Sequence, residues 1–277
     1  MIVRDALLTA ALGRLPDGAS ISMDPGFQGL PDMAHGGSVL ALFDSAADFR
    51  GPRLVRADYM KRVPLATALT LRRAEVEGAT RFELLSTGDT TLVAGEVVAV
   101  DIDPPASFPA APPTSAPGLP VSSSCFVCGV DNPIGLGASF AVDDRVVAGV
   151  WTPRDRFRAD DGTLAPIALT ALLDEGAFWL GALATGESGM TTELAVTFAR
   201  PLAFGTPVAI VGDRRRVVPR ADARYHDTEL VAVTPGGDVV ATARITFVAV
   251  RGAARRLTSW LARTNSPETI RRVFPAY

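Results

Sequence analysis

Two acidic side chains and one glycine-rich turn are the residues of this sequence best suited to chemistry. Asp44 lies in an apolar segment that begins at the run His35-Gly36-Gly37, and Asp174 lies in a second apolar segment. Burying a carboxylate without a partner costs several kcal/mol. An acid inside each of two apolar helical segments therefore indicates a function for at least one of them.

The run His35-Gly36-Gly37 is typical of a turn that leads into a helix. The first N–H groups of a helix have no partner within it, and the helix dipole favours negative charge beside them. Glycines at this point let a bound group approach the backbone closely. One such donor to a developing oxyanion contributes about 10²–10³ in rate. A carboxylate supplies the other requirement for attack on a carbonyl group, which is a base or a nucleophile.

The distance along the first helix decides which acid can serve these donors. Asp44 lies about seven residues beyond Gly37, which is roughly 10 Å at a rise of 1.5 Å per residue. The Asp44 side chain cannot span that distance. We therefore expect the donors and the acid to come from different helices.

The elements that position these residues form an internal repeat. Prolines between residues 103 and 120 predict an extended connector that divides the chain into two halves. Residues 59–69 resemble residues 198–208, and in each half one apolar helical segment, 37–49 or 167–183, precedes a β-rich run. This order predicts an α+β fold in which each half curls an antiparallel sheet around one central helix.

The motifs resemble the hot-dog fold thioesterase superfamily, in particular its PaaI-like acyl-CoA thioesterase branch. The first half carries His-Gly-Gly with an acid nine residues after the histidine. The second half carries Cys125-Phe-Val-Cys128-Gly, Asn132-Pro-Ile-Gly-Leu and, further on, residues 172–176 and 191–201. The resemblance covers residues 20–102 and 122–250. It implies two tandem hot-dog domains, 1–102 and 122–250, that form an intramolecular pseudo-dimer, with a linker at 103–121 and a C-terminal helix and tail at 251–277.

In this family the site lies between two hot-dog units, with donors from one and the acid from the other. The resemblance therefore implies one competent site that contains Gly36, Gly37 and Asp174. It also implies a hydroxyl near the attacking water, at Thr191, and a side chain that polarises the carbonyl, which is either Gln28 or His35.

The equivalent second site is expected to be degenerate. Asp44 would face Ala165 and Pro166, and proline has no N–H to donate. The segment that matches the hydroxyl position reads Gly-Pro-Arg over residues 51–53. Asp44 is therefore expected to be structural, or to cap substrate in a vestigial pocket.

Glu175 is a rival to Asp174, because some hot-dog thioesterases use glutamate. Neighbouring helix residues point about 100° apart, so we expect only one of the two acids to face the cleft. Asp174 is preferred because its place in the repeat equals that of Asp44. Whether it acts as a general base on water or as a nucleophile that forms a mixed anhydride stays open.

The predicted function is hydrolysis of an acyl-CoA or acyl-carrier thioester, without a cofactor beyond the coenzyme A of the substrate. Two alternatives stay open, a protein that binds such thioesters without turnover and a hot-dog hydratase or dehydratase. The dehydratases place a catalytic histidine in other motifs, whereas the histidine near a helix start here is His35 in His-Gly-Gly. The sequence leaves the acyl group and dimerisation of the fused pair undecided.

Composition limits the remaining classes of function. The 277 residues are 48% hydrophobic and 21% charged, with a formal net charge of -3, which gives no basic surface for nucleic acid. We find no signal-peptide pattern and no membrane span, and expect a cytoplasmic protein. Cys125 and Cys128 precede turn residues, and a closed zinc site needs four ligands. We therefore expect two reduced structural thiols and no metal.

Overall fold

The computed structural model describes residues 17–49, 51–101 and 116–277. The strands are β1 (Ala19–Ile21), β2 (Arg53–Tyr59), β3 (Leu69–Val76), β4 (Ala79–Ser86), β5 (Thr91–Ala99), β6 (Ala141–Val142), β7 (Val146–Trp151), β8 (Gly189–Phe198), β9 (Val208–Asp213), β10 (Val218–Pro219), β11 (Tyr225–Val233) and β12 (Val239–Ala249). The helices are α1 (Gly36–Ala47), α2 (Pro166–Thr185), α3 (Ala253–Leu261) and α4 (Pro267–Val273), with short 3-10 turns at Pro25–Phe27, Asp155–Phe157 and Arg214–Arg216.

All twelve strands belong to one sheet with the order β1-β3-β4-β5-β2-β8-β12-β11-β9-β7-β6, and β10 pairs with β11. Strands of the first half occupy one side of this order and strands of the second half occupy the other. The two sides join where β2 pairs antiparallel with β8, from Arg53 opposite Phe198 to Asp58 opposite Glu193. Backbone hydrogen bonds between β2 and β8 therefore join the two halves into one continuous sheet. The predicted α+β class is confirmed.

Helices α1 and α2 are the buried helices that the hydrophobic pattern predicts. The predicted ranges, 37–49 and 167–183, differ from the observed ones by one or two residues at each end. α1 begins at Gly36 and ends before Asp48, which adopts a left-handed conformation with φ 51°. α2 is long and apolar enough to cross a membrane, but 83% of its apolar window is buried inside the protein. It is the helix around which the second half of the sheet packs.

A glycine allows the two central helices to touch. A Cβ atom at Gly37 would lie 2.4 Å from the carbonyl oxygen of Thr170 and 2.6 Å from the Cα atom of Ala171. These neighbours are backbone atoms of α2, which a side chain at Gly37 would have to displace. The backbone of α1 therefore approaches α2 closely at its first turn, which is also where the predicted donors lie.

The C-terminal segment, predicted as a helix and tail at 251–277, forms two helices that pack onto the fold. α3 buries Ala254, Leu257 and Leu261. Its start is held by Glu187, whose carboxylate accepts hydrogen bonds from the N–H of Ala254 at 3.2 Å and from the Tyr277 hydroxyl at 2.9 Å. The first and last turns of this segment are thus tied to the end of α2.

The predicted proline-rich linker at 103–121 lies largely outside the described residues. From residue 116 onward the chain is attached to the second half. The N–H of Leu119 donates to the Phe140 carbonyl at 2.8 Å, and the Val121 carbonyl accepts from the Thr264 hydroxyl at 2.6 Å. The division of the chain into domains stays a prediction.

Candidate active site

Asp174 of α2 lies directly at the first turn of α1. Its Oδ2 atom accepts a hydrogen bond from the N–H of Gly37 at 2.8 Å, and its Oδ1 atom accepts one from the Thr191 hydroxyl at 2.6 Å. The Asp174 residue is 5% exposed. Three residues chosen from the sequence, from both halves of the chain, are thus brought together. Both carboxylate oxygens have a donor, which offsets the cost of burying the charge.

The two glycines at the helix start have different roles, although the sequence suggested two equal donors. The N–H of Gly37 is already engaged by Asp174. The N–H of Gly36 has no acceptor among the described residues, and Gly36 lines a cavity. A Cβ atom at Gly36 would lie 2.8 Å from Oδ2 of Asp174. Gly36 is therefore the donor that remains for a bound group, and Gly37 positions the acid.

His35 lies between the two acids of α2. Its Nδ1 atom is 3.3 Å from Oδ2 of Asp174, and its Nε2 atom is 3.5 Å from Oε2 of Glu175. Burial lowers the pKa of His35, but the hydrogen bond to Glu175 and the charge of Asp174 outweigh it and raise the pKa to about 9. Nδ1 also lies 3.2 Å from the N–H of Gly37, which is longer than the 2.8 Å contact from that N–H to Asp174. We assign this N–H to the carboxylate.

Glu175 lines the same cavity as Asp174, so the expectation that only one of the two acids faces the cleft is wrong. Oε1 of Glu175 accepts from the indole N–H of Trp179 at 3.0 Å, and Oε2 lies 3.8 Å from the Sγ atom of Cys125. Both acids lie at the His35 ring, Asp174 at Nδ1 and Glu175 at Nε2, so both face the same part of the cavity.

The cysteine pair lies at this cavity as well. Cys125 and Cys128 both line it and are buried. The pKa of the Cys128 thiol lies well above its usual value, because of its hydrogen bond with Cys125 and its burial. Although His35 belongs to a different sequence motif, its ring reaches the same cluster. The ligand atoms of His35, Cys125 and Glu175 all lie within 4.8 Å of one another.

Gln28 is not in the position that the resemblance implied. Its amide nitrogen donates to the Ser124 hydroxyl at 2.8 Å, and its amide oxygen accepts from the N–H of Asp32 at 3.3 Å. Gln28 does not line the cavity. It links the loop before α1 to the segment that contains the cysteines, and so it supports the site from outside. Of the two residues suggested to polarise a carbonyl, only His35 reaches the cavity.

Asp44 is held in an ion pair with Arg53. Both carboxylate oxygens accept hydrogen bonds from the guanidinium group, with 2.7 Å from Nη2 to Oδ2. The Arg53 guanidinium also lies 4.4 Å from the centre of the Phe198 ring. Asp44 therefore has a structural partner, and it does not line the cavity. Asp44, a candidate site residue from the sequence, thus lies outside the cavity.

The corresponding end of α2 has no equivalent of the His-Gly-Gly turn. Pro166 is the first residue of α2, and the residue before it, Ala165, makes no side-chain capping hydrogen bond. Arg53 of β2 binds Asp44, whereas Thr191 of β8 binds Asp174. The first turns of α1 and α2 therefore carry different residues, and the His-Gly-Gly turn is present only at α1.

Tyr59 and Arg53 were not predicted from the sequence, although Tyr59 contacts Gly36 and Arg53 contacts Asp44. The Tyr59 hydroxyl donates to the Gly36 carbonyl at 2.6 Å, and burial raises the pKa of this phenol well above its usual value. Tyr59 ends β2 and lines the cavity. Neither residue belongs to a sequence motif. Each acts through a partner that only the tertiary structure brings near.

The cavity has a volume of about 1070 Å³. One end contains Asp174, His35 and Gly36. The remainder is lined by apolar side chains from α1, α2, β8, β12 and α3, which include Val39, Phe178, Met190, Val248, Leu257 and Trp260. Basic side chains also line it, and these are Lys61, Arg62, Arg224 and Arg251. The cavity thus combines a polar end, an apolar wall and several cations.

Solved structures with the same arrangement of strands and helices identify the architecture. A conserved protein with a hot-dog fold from Alicyclobacillus acidocaldarius matches with a TM-score of 0.59 and 15% identity, over 88% of this chain and 98% of its own. The fold is the hot-dog fold. This confirms the fold that the sequence motifs predicted.

Other solved structures that are similar to this chain carry the names of different activities. The acyl-CoA thioesterase II of Mycobacterium marinum matches with a TM-score of 0.56 and 17% identity, over 78% of this chain and 88% of its own. A variant of the GphF dehydratase also gives a TM-score of 0.56, with 13% identity over 84% of this chain and 92% of its own. No protein-family model and no curated protein matches the sequence. These likenesses show the fold, and the chemistry must be argued from the site.

Proposed function

We propose that this chain hydrolyses acyl thioesters of coenzyme A or of an acyl carrier at a single site between its two halves. The observation that carries the proposal is the position of Asp174. Its carboxylate is oriented by Gly37 and Thr191 and lies beside the unengaged N–H of Gly36, in a large cavity. A base and an oxyanion donor are the two groups that thioester hydrolysis requires.

The proposed reaction assigns one role to each of these groups. The thioester carbonyl oxygen accepts a hydrogen bond from the N–H of Gly36, where the dipole of α1 favours the oxyanion. Asp174 takes a proton from a water molecule, which attacks the carbonyl carbon. The intermediate collapses with cleavage of the C–S bond, and the proton returns from Asp174 to the leaving thiolate. In the alternative route Asp174 attacks the carbonyl carbon directly, and the C–S bond breaks as the thiolate leaves. Water then hydrolyses the mixed anhydride, which releases the acid and regenerates the Asp174 carboxylate.

The proposal treats the chain as two hot-dog domains fused into a pseudo-dimer. The antiparallel pairing of β2 with β8 and the contact between α1 and α2 support this interpretation. The second site is proposed to be inactive. Pro166 removes an N–H donor there, and Arg53 neutralises the acid at the corresponding position, Asp44.

The rest of the cavity suggests how such a substrate binds. A coenzyme A moiety carries phosphate groups, which arginine and lysine side chains bind. Arg224 and Arg251 line the cavity near its β12 and α3 side, and Lys61 and Arg62 follow the end of β2. The apolar wall formed by α2 and α3 would then hold the acyl group.

A hot-dog dehydratase is the second candidate. It is favoured by His35, which lies in the cavity between two carboxylates, and the GphF dehydratase variant has the same fold. Dehydration needs a base that removes a proton beside the carbonyl and an acid that protonates the leaving hydroxyl. The hydrogen bond from Thr191 to Asp174 and the free N–H of Gly36 favour hydrolysis.

Thiol release from a panel of short, long and aromatic acyl-CoA substrates tests the proposal. We expect Asp174→Asn to lower kcat by about 10²–10⁴, the usual contribution of a general base. Asp44→Asn is the matched control, which replaces the equivalent acid in the other helix and should retain most of the turnover.

One result would overturn the hydrolase proposal, and another would overturn the assignment of the site. In the first, wild-type protein melts at higher temperature with acyl-CoA but releases no thiol, which identifies a binding protein. In the second, the Asp44→Asn variant is inactive and Asp174→Asn is active, which would mean that the two sites have been assigned in reverse.

A further inference from the structure

We propose that His35, Cys125 and Glu175 bind a zinc ion in the wall of this cavity. The two cysteines were expected to be reduced structural thiols, because they precede turn residues and a closed zinc site needs four ligands. The fold brings His35, from a different motif, to Cys125 and Glu175. The imidazole, the thiol and the carboxylate are three of the ligand types that zinc prefers, and all three residues are buried.

The separations of the ligand atoms fit one metal ion. Zinc bonds of about 2.0–2.2 Å to nitrogen or oxygen and about 2.3 Å to sulfur place tetrahedral ligand atoms roughly 3.2–3.6 Å apart. Nε2 of His35 lies 3.5 Å from Oε2 of Glu175, and that oxygen lies 3.8 Å from Sγ of Cys125. Nε2 of His35 and Sγ of Cys125 lie within 4.8 Å of each other, so the ligands must move closer together to reach tetrahedral separations.

The backbone around Cys125 fixes the position of its sulfur. The N–H of Val127 points at the Cys125 sulfur over 3.3 Å, and the N–H of Gly129 donates to the Cys125 carbonyl at 2.9 Å. This turn therefore presents Sγ toward Glu175 and the cavity.

Two further side chains orient the ligands in the way that outer groups do in metal sites. Trp179 donates its indole N–H to Oε1 of Glu175 at 3.0 Å, which leaves Oε2 for the metal. Asp174 lies 3.3 Å from Nδ1 of His35, so that the metal takes the place of the proton at Nε2 while Nδ1–H donates to the acid.

The three ligands leave the fourth coordination position open. His35, Cys125 and Glu175 all line the cavity, as does Cys128, the next thiol along the turn. Three protein ligands with one open position are typical of zinc sites that bind a water or a substrate atom. Metal binding does not depend on the proposed hydrolysis, so each of these two proposals can be refuted without refuting the other.

Metal content of the full-length protein tests this inference. Purified protein is incubated with zinc chloride, desalted and analysed by inductively coupled plasma mass spectrometry. We expect about one zinc ion per chain, the stoichiometry of a single three-ligand site. Loading with cobalt(II) in place of zinc should give the strong absorption of a thiolate-to-cobalt bond, a readout that needs no variant.

Substitution of the ligands should weaken binding specifically. We expect Cys125→Ser and Glu175→Gln each to lower zinc affinity at least tenfold in competition with a chromophoric chelator. Asp44→Asn, a carboxylate-to-amide change outside the cluster, should bind zinc as wild type does. Circular dichroism of the metal-free proteins checks that each variant is folded. Zinc content no higher than the buffer blank, or a cobalt spectrum without a thiolate band, overturns the inference.

Discussion

At the scale of residues, the Thr191 hydroxyl orients the carboxylate of Asp174. Oδ1 of Asp174 accepts the Thr191 proton at 2.6 Å while Oδ2 accepts the Gly37 N–H. The carboxylate is therefore held in one plane and one rotamer. In the proposed reaction this orientation decides whether a lone pair faces the attacking water, so the effect of Thr191 on turnover acts through Asp174.

We expect Thr191→Val to lower kcat by about 10- to 100-fold, the value of one hydrogen bond to a charged group. The KM for acyl-CoA should change little, because the hydroxyl is engaged by the protein. Steady-state thiol release measures both constants. Thr192→Val is the matched control, since the Thr192 hydroxyl donates to the Thr246 carbonyl at 3.2 Å and makes no bond to Asp174. Equal losses in the two variants would refute the orienting role.

At the scale of elements, the contact between α1 and α2 sets the site. The first turn of α1 lies against α2 at Thr170 and Ala171, one turn before Asp174. α1 carries the donors and α2 carries the acid. The two helices can approach this closely only because Gly37 has no side chain. The same close approach that packs the core also brings the two groups within hydrogen-bonding distance.

Gly37→Ala should destabilise the fold by about 1–3 kcal/mol, the usual cost of overpacking a core. The added methyl group meets backbone atoms that cannot rotate away. Urea denaturation followed by circular dichroism gives the change in the free energy of unfolding. Gly118→Ala is the control, because a Cβ atom there would meet nothing within 4 Å. A Gly37→Ala protein as stable as Gly118→Ala would contradict the close packing of the helices.

At the scale of the whole molecule, the two halves share one sheet and one core. Val55 of β2 and Val196 of β8 are paired across the junction, and both belong to the same buried cluster. Residues of α1 and α2 belong to that cluster as well. Neither half can therefore be removed without exposing an edge strand and part of the core of the other.

We expect the full chain to unfold in one cooperative thermal transition. Differential scanning calorimetry should give equal calorimetric and van't Hoff enthalpies, the criterion for a single unit. The shared core makes the unfolding of one half expose apolar surface of the other. Two resolved transitions would show that the halves are energetically independent, in spite of the continuous sheet.

The sequence determined much of this arrangement by itself. Local patterns place α1 and α2 within two residues, because an all-apolar helical segment has few alternatives to a buried helix. The rise per residue of α1 places Asp44 too far from the donors, which left Asp174 as the acid of the site. The His-Gly-Gly and Cys-x-x-Cys motifs pointed to the hot-dog fold.

Only the tertiary structure decided which side chains meet. Gly36 and Gly37 are alike in the sequence, but only Gly37 donates to Asp174, because the direction of each N–H depends on where α2 lies. Asp44 matches Asp174 in the repeat and nevertheless binds Arg53, a partner from the next strand. His35 and Cys125 come from different halves. Contacts between residues far apart in the chain follow from packing, and no local pattern of residues encodes them.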